Sequence, residues 1–171
     1  MTLVFDSTPL IYLSKVGLSW IFKELPVEML IPKTVFEEVV TKGKKRGDAD
    51  AFVIDELVKD KIINVVEVAS EFKRTFEGLN AELHPGEIDV LALASAKGAI
   101  AIFDESIARE VGDILGIKTH GTFYLIFSMV KKGKLSKKEA KNKVDEMIKK
   151  GWRIRHERYL EFMELLERTE E

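Results

Sequence analysis

The sequence contains no cysteine and no glutamine, and only four of its 171 residues are proline. Without cysteine there is neither a disulfide framework nor a thiolate metal site, and such a composition fits a reducing compartment, which points to the cytoplasm. Histidine is scarce as well: His84, His120 and His156 stand far apart and show no metal-ligand spacing. Long apolar runs are missing. The longest, such as Val90–Ala96, fall well short of the roughly 20 residues that a membrane-spanning helix needs, so no membrane association is expected. The opening Met-Thr-Leu-Val-Phe-Asp lacks the charged start and small-residue cleavage site of a signal peptide. Neither a Gly-x-x-x-x-Gly-Lys phosphate loop nor a Gly-x-Ser-x-Gly elbow occurs.

What is present is an ordinary globular composition. With 46% hydrophobic residues the chain is long enough to bury a core. No linker, repeat or low-complexity segment divides it, so residues 1–171 are expected to form a single domain, with 131–171 as a C-terminal helical extension packed on it. The net charge of −2 hides an asymmetry. Residues 131–158 carry 12 basic against 4 acidic side chains, whereas residues 1–130 are net acidic by 6. The basic block reads equally as a face for a polyanion or as a solvated helix surface.

Apolar patterning predicts strands that alternate with helices. Thr2–Phe5 reads as a buried strand ending on Asp6, followed by a helix capped by Ser7 or Thr8 and closed at Gly17. Leu18–Leu25 reads as a helix, Val27–Ile31 as a strand stopped by Pro32, and Thr34–Thr41 as a helix. A basic loop is expected over Lys42–Gly47, then a helix over Ala49–Asp60, a β-branched strand over Ile62–Val68 and a helix over Glu71–Leu79. Pro85-Gly86-Glu87 opens a strongly apolar helix closed by Gly98. A strand over Ala99–Phe103 ends on Asp104, and Ser106–Leu115 is helical. Ile117–Thr119 is a short strand and Gly121–Lys131 a helix. Ser136 with Glu139 forms a capping box for the next helix, and a last helix covers Arg155–Glu167. Such alternation argues for an α/β fold with a central parallel sheet covered on both faces.

In an open parallel sheet, ligands bind beyond the carboxyl ends of the strands. Asp6 and Asp104 each follow a strand and should share that rim. Either aspartate alone reads as a helix cap more readily than as a ligand; two on one rim repel, and something must hold them there. Glu37 or Glu38, and Glu87 or Asp89, are further candidates. The bland alternative for Glu87 and Asp89 is a first helical turn, which favours negative charge. Converging carboxylates without cysteine or clustered histidine suit Mg²⁺ or Mn²⁺, and the chemistry left over is metal-assisted hydrolysis.

Four segments in order carry a resemblance. They are Val4-Phe5-Asp6-Ser7, Ile31-Pro32-Lys33-Thr34-Val35-Phe36-Glu37-Glu38-Val39, Pro85-Gly86-Glu87-Ile88-Asp89-Val90-Leu91-Ala92-Leu93-Ala94, and Ile102-Phe103-Asp104-Glu105-Ser106-Ile107-Ala108-Arg109, followed by Gly116-Ile117 and Gly121-Thr122. Together they resemble the PIN-domain nucleases, in particular a prokaryotic branch of VapC-type toxins, over about Thr2–Val130. The resemblance implies a Rossmann-like α/β/α sandwich and a Mg²⁺/Mn²⁺-dependent endoribonuclease. It also implies the toxin of a toxin–antitoxin pair, with an antitoxin protein as partner. Carried over residue by residue, Asp6, Glu38, Glu87 and Asp104 would be the catalytic and metal-binding acids, with Asp89 and Glu105 as second candidates. Ser7 would orient a carboxylate or a metal-bound water, and it is also a candidate for binding the substrate. The third position is Glu where many members of the family have Asp. That departure keeps a second reading open, a catalytically weak or inactive PIN-like module that binds RNA or a protein partner.

An RNA substrate needs cations against its phosphates. Arg109, one turn beyond Asp104, is a candidate, with a surface ion pair as its alternative. The Lys42–Arg46 loop and the 131–158 block are broader ones. Trp20, Trp152 and Tyr159 are candidates for stacking on bases. Core packing is the better reading of Trp20, and Trp152 is expected to be the more open of the two. The last helix presents Tyr159, Leu160, Phe162, Met163, Leu165 and Leu166, a wide apolar face that should pack on the core or on a second copy. A homodimer is the expectation. A phosphohydrolase of the haloacid dehalogenase type is disfavoured because Thr8 stands where its Asp-x-Asp pair would need the second acid.

Overall fold

The structure is a computed structural model that describes residues 1–76, 78 and 82–170. Its centre is β1 (Thr2–Phe5), in which Leu3, Val4 and Phe5 are all buried. Successive side chains of a strand point to opposite faces, so burial of three in a row means that both faces are covered. β1 pairs in parallel with β2 (Glu28–Pro32) on one side and β4 (Ile100–Ile102) on the other. β3 (Asn64–Val66) lies outside β2, and β5 (Thr119–His120) outside β4. The order is β3-β2-β1-β4-β5, all parallel. The chain builds outward from β1 in one direction and then returns to build in the other. The point of reversal lies between β1 and β4, where α/β sheets of this kind open a crevice.

Helices α1 (Ser7–Lys15) and α2 (Trp20–Glu24) follow β1, and α3 (Lys33–Phe36) follows β2. α3 runs without a break into a π-helical segment, Glu37–Lys42, and then into α4 (Gly43–Arg46). The basic loop expected over Lys42–Gly47 is therefore helical as far as Arg46. Glycine and a lysine run disguise it in the sequence; the structure explains the glycine. A Cβ on Gly43 would come within 2.7 Å of the Ala51 Cβ on α5 (Ala49–Lys59), so Gly43 marks a close approach of two helices and not a turn. The turn comes at Gly47, whose φ of 78° closes α4. α6 (Ser70–Arg74) covers only the first part of the helix expected over Glu71–Leu79; Glu77 and Leu79 lie outside the described residues.

α7 (Pro85–Lys97) is buried along Val90, Leu91, Ala92, Leu93 and Ala94 and packs on β1, β2 and β4. Gly98, at φ 59°, ends it. α8 (Ser106–Ile114) and α9 (Thr122–Lys131) follow β4 and β5, and β5, at Thr119–His120, starts two residues and ends one residue later than the strand expected over Ile117–Thr119. α10 (Lys137–Lys149) begins with the Ser136/Glu139 capping box, and α11 (His156–Arg168) closes the chain. The extension belongs to the core: Ala140, Val144, Met147, Trp152, Phe162 and Leu166 are buried in it. Phe162 stacks on Phe123 at 4.3 Å between ring centroids. Thus the apolar face of the last helix is used within the chain, and Leu160 and Leu165 are what it leaves exposed. Among the described residues no helix is long and apolar enough to cross a membrane.

Candidate active site

The rim at the reversal point is built by the register of β1 against β4. Phe5 lies opposite Ile102, and the Asp6 N–H donates to the Ile102 carbonyl at 3.1 Å. That bond carries the sheet one residue beyond β1 and fixes Asp6 beside the stretch that leads to Asp104. Asp6, not Ser7 or Thr8, occupies the cap position of α1, yet its side chain makes no capping hydrogen bond. The carboxylate is 8% exposed. Burial pushes its pKa up to about 7, and the nearby carboxylates of Glu87, Glu38 and Asp104 push the same way, against the pull of the Ser7 backbone N–H.

Glu38 reaches this group from the π-helical segment. Its Oε2 accepts a hydrogen bond from Ser7 Oγ at 2.8 Å, while the neighbouring Glu37 is exposed. A quarter-turn between adjacent helical positions separates the two. Glu87 comes from the first turn of α7. Its Oε2 accepts the His84 backbone N–H at 2.8 Å, half of a capping box in which His84 Nδ1 accepts from Gly86 N–H. Burial raises the Glu87 pKa, opposed by that His84 bond, with Glu105 and Glu38 adding to the rise.

Asp104 is the most heavily bonded of the four. Oδ1 accepts the Thr122 backbone N–H at 2.8 Å, and Oδ2 accepts Thr122 Oγ–H at 2.6 Å and Trp152 Nε1–H at 3.1 Å. It therefore sits at the amino end of α9, not at that of its own α8, whose cap position is Glu105. Even so, burial raises its pKa against these three bonds.

Asp89 is turned to other work. It is 4% exposed, accepts from Thr34 Oγ1 at 2.7 Å and pairs with Lys73 Nζ at 3.1 Å. Glu105 is exposed on the edge of the acidic site. Arg109 is partly buried, and burial together with the neighbouring Arg158 lowers its pKa; among the described residues it has no ion pair. Of the aromatic residues considered for stacking on bases, Trp152 is 2% exposed, so the open position expected for it is corrected. Phe123 meets it edge-on at 5.1 Å, and its polar edge is spent on Asp104. Trp20 is half-buried against the core, and Tyr159 donates to Asp145 at 2.8 Å.

A cavity of about 250 Å³ opens over these acids, lined by Asp6, Glu87, Asp104 and Glu105 together with Tyr12 and Arg153. Tyr12 and Thr122 are absent from the sequence-based candidates, whereas Trp152 stood there only as a residue for stacking on bases and Arg153 only as part of the basic 131–158 block. Thr122 could have been found through Gly121: a Cβ there would lie 3.0 Å from Asp104 Oδ1 and 3.1 Å from the Phe103 carbonyl, a tight fit that favours glycine where α9 starts against Asp104. Nothing in local patterning ties the other three to the site.

Among the described residues, no three His, Asp or Glu side chains are drawn close enough to hold one ion as they stand. The donor chemistry nevertheless fits a hard divalent cation. All the groups are carboxylates, their crowding helps raise the pKa of Asp6 and of Glu87, and among the described residues no cationic side chain is among the influences on buried Asp6.

A family model described as DUF3368, a PIN domain, matches residues 2–168. Among solved structures, VapBC-1 from nontypeable Haemophilus influenzae aligns with a TM-score of 0.50 and 14% identity, covering 71% of this chain and 98% of that one. PAE2754 from Pyrobaculum aerophilum aligns with a TM-score of 0.48 and 15% identity, covering 76% and 98%. No curated protein matches. At 14% identity the likeness to VapBC-1 speaks to the fold alone. The family match spans nearly the whole chain, core and C-terminal extension alike, and it places this protein in the PIN domain family.

Proposed function

We propose that this protein is a metal-dependent endoribonuclease whose catalytic and metal-holding residues are Asp6, Glu38, Glu87 and Asp104. The observation that carries the reading is Asp6: a nearly buried carboxylate, free of capping duty, at the reversal point of the sheet and crowded by three others. A bound Mg²⁺ or Mn²⁺ would neutralise that crowding and supply Lewis-acid help to hydrolysis of a phosphodiester. The chain's own contributions are positional. Thr122 and Trp152 hold Asp104, Ser7 holds Glu38, and the His84 N–H holds one oxygen of Glu87. Without the cation, burial and the neighbouring carboxylates hold the Asp6 pKa at about 7; a bound cation would favour its ionised, metal-holding form.

Membership of the PIN family and the VapBC-1 fold likeness support a role as the toxin of a toxin–antitoxin pair, with an antitoxin protein as partner. The lack of cysteine supports a cytoplasmic setting. Leu160 and Leu165, exposed on α11, are the residues we assign to a homodimer contact. One observation favours a second reading, a PIN-like binding module without turnover: Glu87 and Asp104 are already bonded within the protein, and among the described residues no three acids close on one point.

The deciding experiment is cleavage of single-stranded and structured RNA with Mg²⁺, Mn²⁺ or EDTA, for the wild type and Asp6→Asn. We expect metal-dependent cleavage that falls at least about 100-fold in the variant, since losing even an outer partner of a metal ligand costs about 10–100-fold. Cleavage in EDTA, or full activity in Asp6→Asn, would refute the assignment. RNA binding without cleavage under any metal would favour the second reading.

A further inference from the structure

Arg153 lines the acidic cavity and also a neighbouring cavity of about 360 Å³, whose wall carries Arg155 and Arg158. The two cavities share Asp104 and Glu105 as well, so they lie side by side along the same wall. Resting on the nuclease reading above, we propose that Arg153, Arg155 and Arg158, backed by Arg109, form the track that holds the RNA phosphates next to the scissile one.

Three observations converge on this. The first is the lack of partners. Lys44, Lys59, Lys73, Lys134 and Lys143 are each paired with a carboxylate, but among the described residues none of these four arginines is. Guanidiniums gathered in one place repel, and Arg158 lies close enough to Arg109 to be felt there. Asp104 and Asp113 offset part of that repulsion at Arg109, and an anion bound among the arginines would offset more of it.

The second is local geometry. Residues 152–155 lie outside any helix, between α10 and α11, with Trp152 buried, Ile154 half-buried and Arg153 and Arg155 exposed. That alternation points both arginines away from the core while Trp152 pins the segment to Asp104. Arg158 joins them from the first turn of α11.

The third is adjacency. A strand cut at the acids must extend beyond them, and the arginine cavity lies beside them. A guanidinium fork matches the paired oxygens of a phosphodiester better than a lysine does. An acidic protein segment is the competing occupant.

The test is fluorescence anisotropy of a short labelled single-stranded oligoribonucleotide in EDTA, across a range of salt, so that binding is read without cleavage. Arg153→Ala/Arg158→Ala should bind about tenfold or more weakly, and its log–log salt slope should be smaller by about 1.4, the value for two single-strand phosphate contacts. Lys137→Ala/Lys141→Ala removes the same charge beside a different cavity and should stay close to the wild type. Arg153→Lys/Arg158→Lys should keep the slope. Wild type that fails to bind, or equal losses in the arginine and lysine variants, would overturn the proposal. So would a polyglutamate peptide that displaces the RNA more effectively than unlabelled RNA does. Intact binding through the arginines without cleavage under any metal would remove the nuclease reading and leave the track standing.

Discussion

The indole N–H of Trp152 donates to Oδ2 of Asp104 at 3.1 Å, which ties the segment between the last two helices to an acid that follows the fourth strand. Trp152 is buried, with Phe123 edge-on against its ring. The C-terminal extension is thus part of the site's wall. It supplies a donor to Asp104 on one residue and the exposed Arg153 on the next.

Trp152→Phe keeps an aromatic ring against Phe123 but removes the donor. Loss of the bond and of some packing should cost about 1–3 kcal/mol of stability. Asp104 then loses one of the three bonds that oppose its raised pKa, so its carboxylate becomes harder to ionise. Affinity for Mn²⁺ near neutral pH should fall about tenfold. Urea unfolding gives the first quantity and titration calorimetry the second. Unchanged metal affinity in a folded variant would mean that the bond serves packing alone.

Asp6 should make the metal-free protein less stable as pH rises. Its pKa is about 7 in the fold against an ordinary 3.8. Below the lower value both states hold the proton and nothing is contributed. Between the two, the unfolded chain has released its proton while the fold retains it, so stability falls until pH passes the folded value. The full span is worth about 4 kcal/mol. In EDTA, Asp6→Asn should therefore melt above the wild type at roughly pH 8 and together with it near pH 4. Added Mg²⁺ should raise the melting temperature of the wild type only. Differential scanning calorimetry across pH reads both, and a variant that melts lower at alkaline pH would contradict the burial argument.

Asp89 and Glu87 lie two positions apart on α7 and should respond differently to loss of charge. Asp89→Asn breaks the pair with Lys73 and weakens the bond from Thr34. We expect a cost of about 1–3 kcal/mol in stability with Mn²⁺ affinity unchanged, whereas Glu87→Gln should weaken Mn²⁺ binding with little change in stability. Calorimetric titration of both variants checks the pair, and a loss of metal affinity in Asp89→Asn equal to that of Glu87→Gln would be inconsistent with the assignment.

Much of the fold was legible because each strand carries its own signal. Leu3-Val4-Phe5 is too short and too apolar for anything but a strand covered on both faces, and its end places Asp6 on the rim. The apolar run of α7 dictated burial in the same way. The choice between Glu37 and Glu38 needed the direction of a helix that turned out to be π-wound, and the family pattern supplied it. The helix through Gly43 was hidden because its glycine answers to Ala51, a residue on another element. Trp152 was hidden for the same kind of reason. Local pattern shows that a tryptophan flanked by Gly151 and Arg153 leaves a helix, but not that the chain has folded back onto Asp104.

The sheet order has a consequence for the protein's birth. Among the five described strands β1 is made before the others, yet it is the central one, and its two neighbours follow at residues 28–32 and 100–102. The donor to Asp104 and the arginines beside it emerge later still, at residues 152–158. A nascent or truncated chain thus holds Asp6 without the partners that make it a site. The acidic site is therefore complete only after residues 152–158 have been made and folded back onto Asp104.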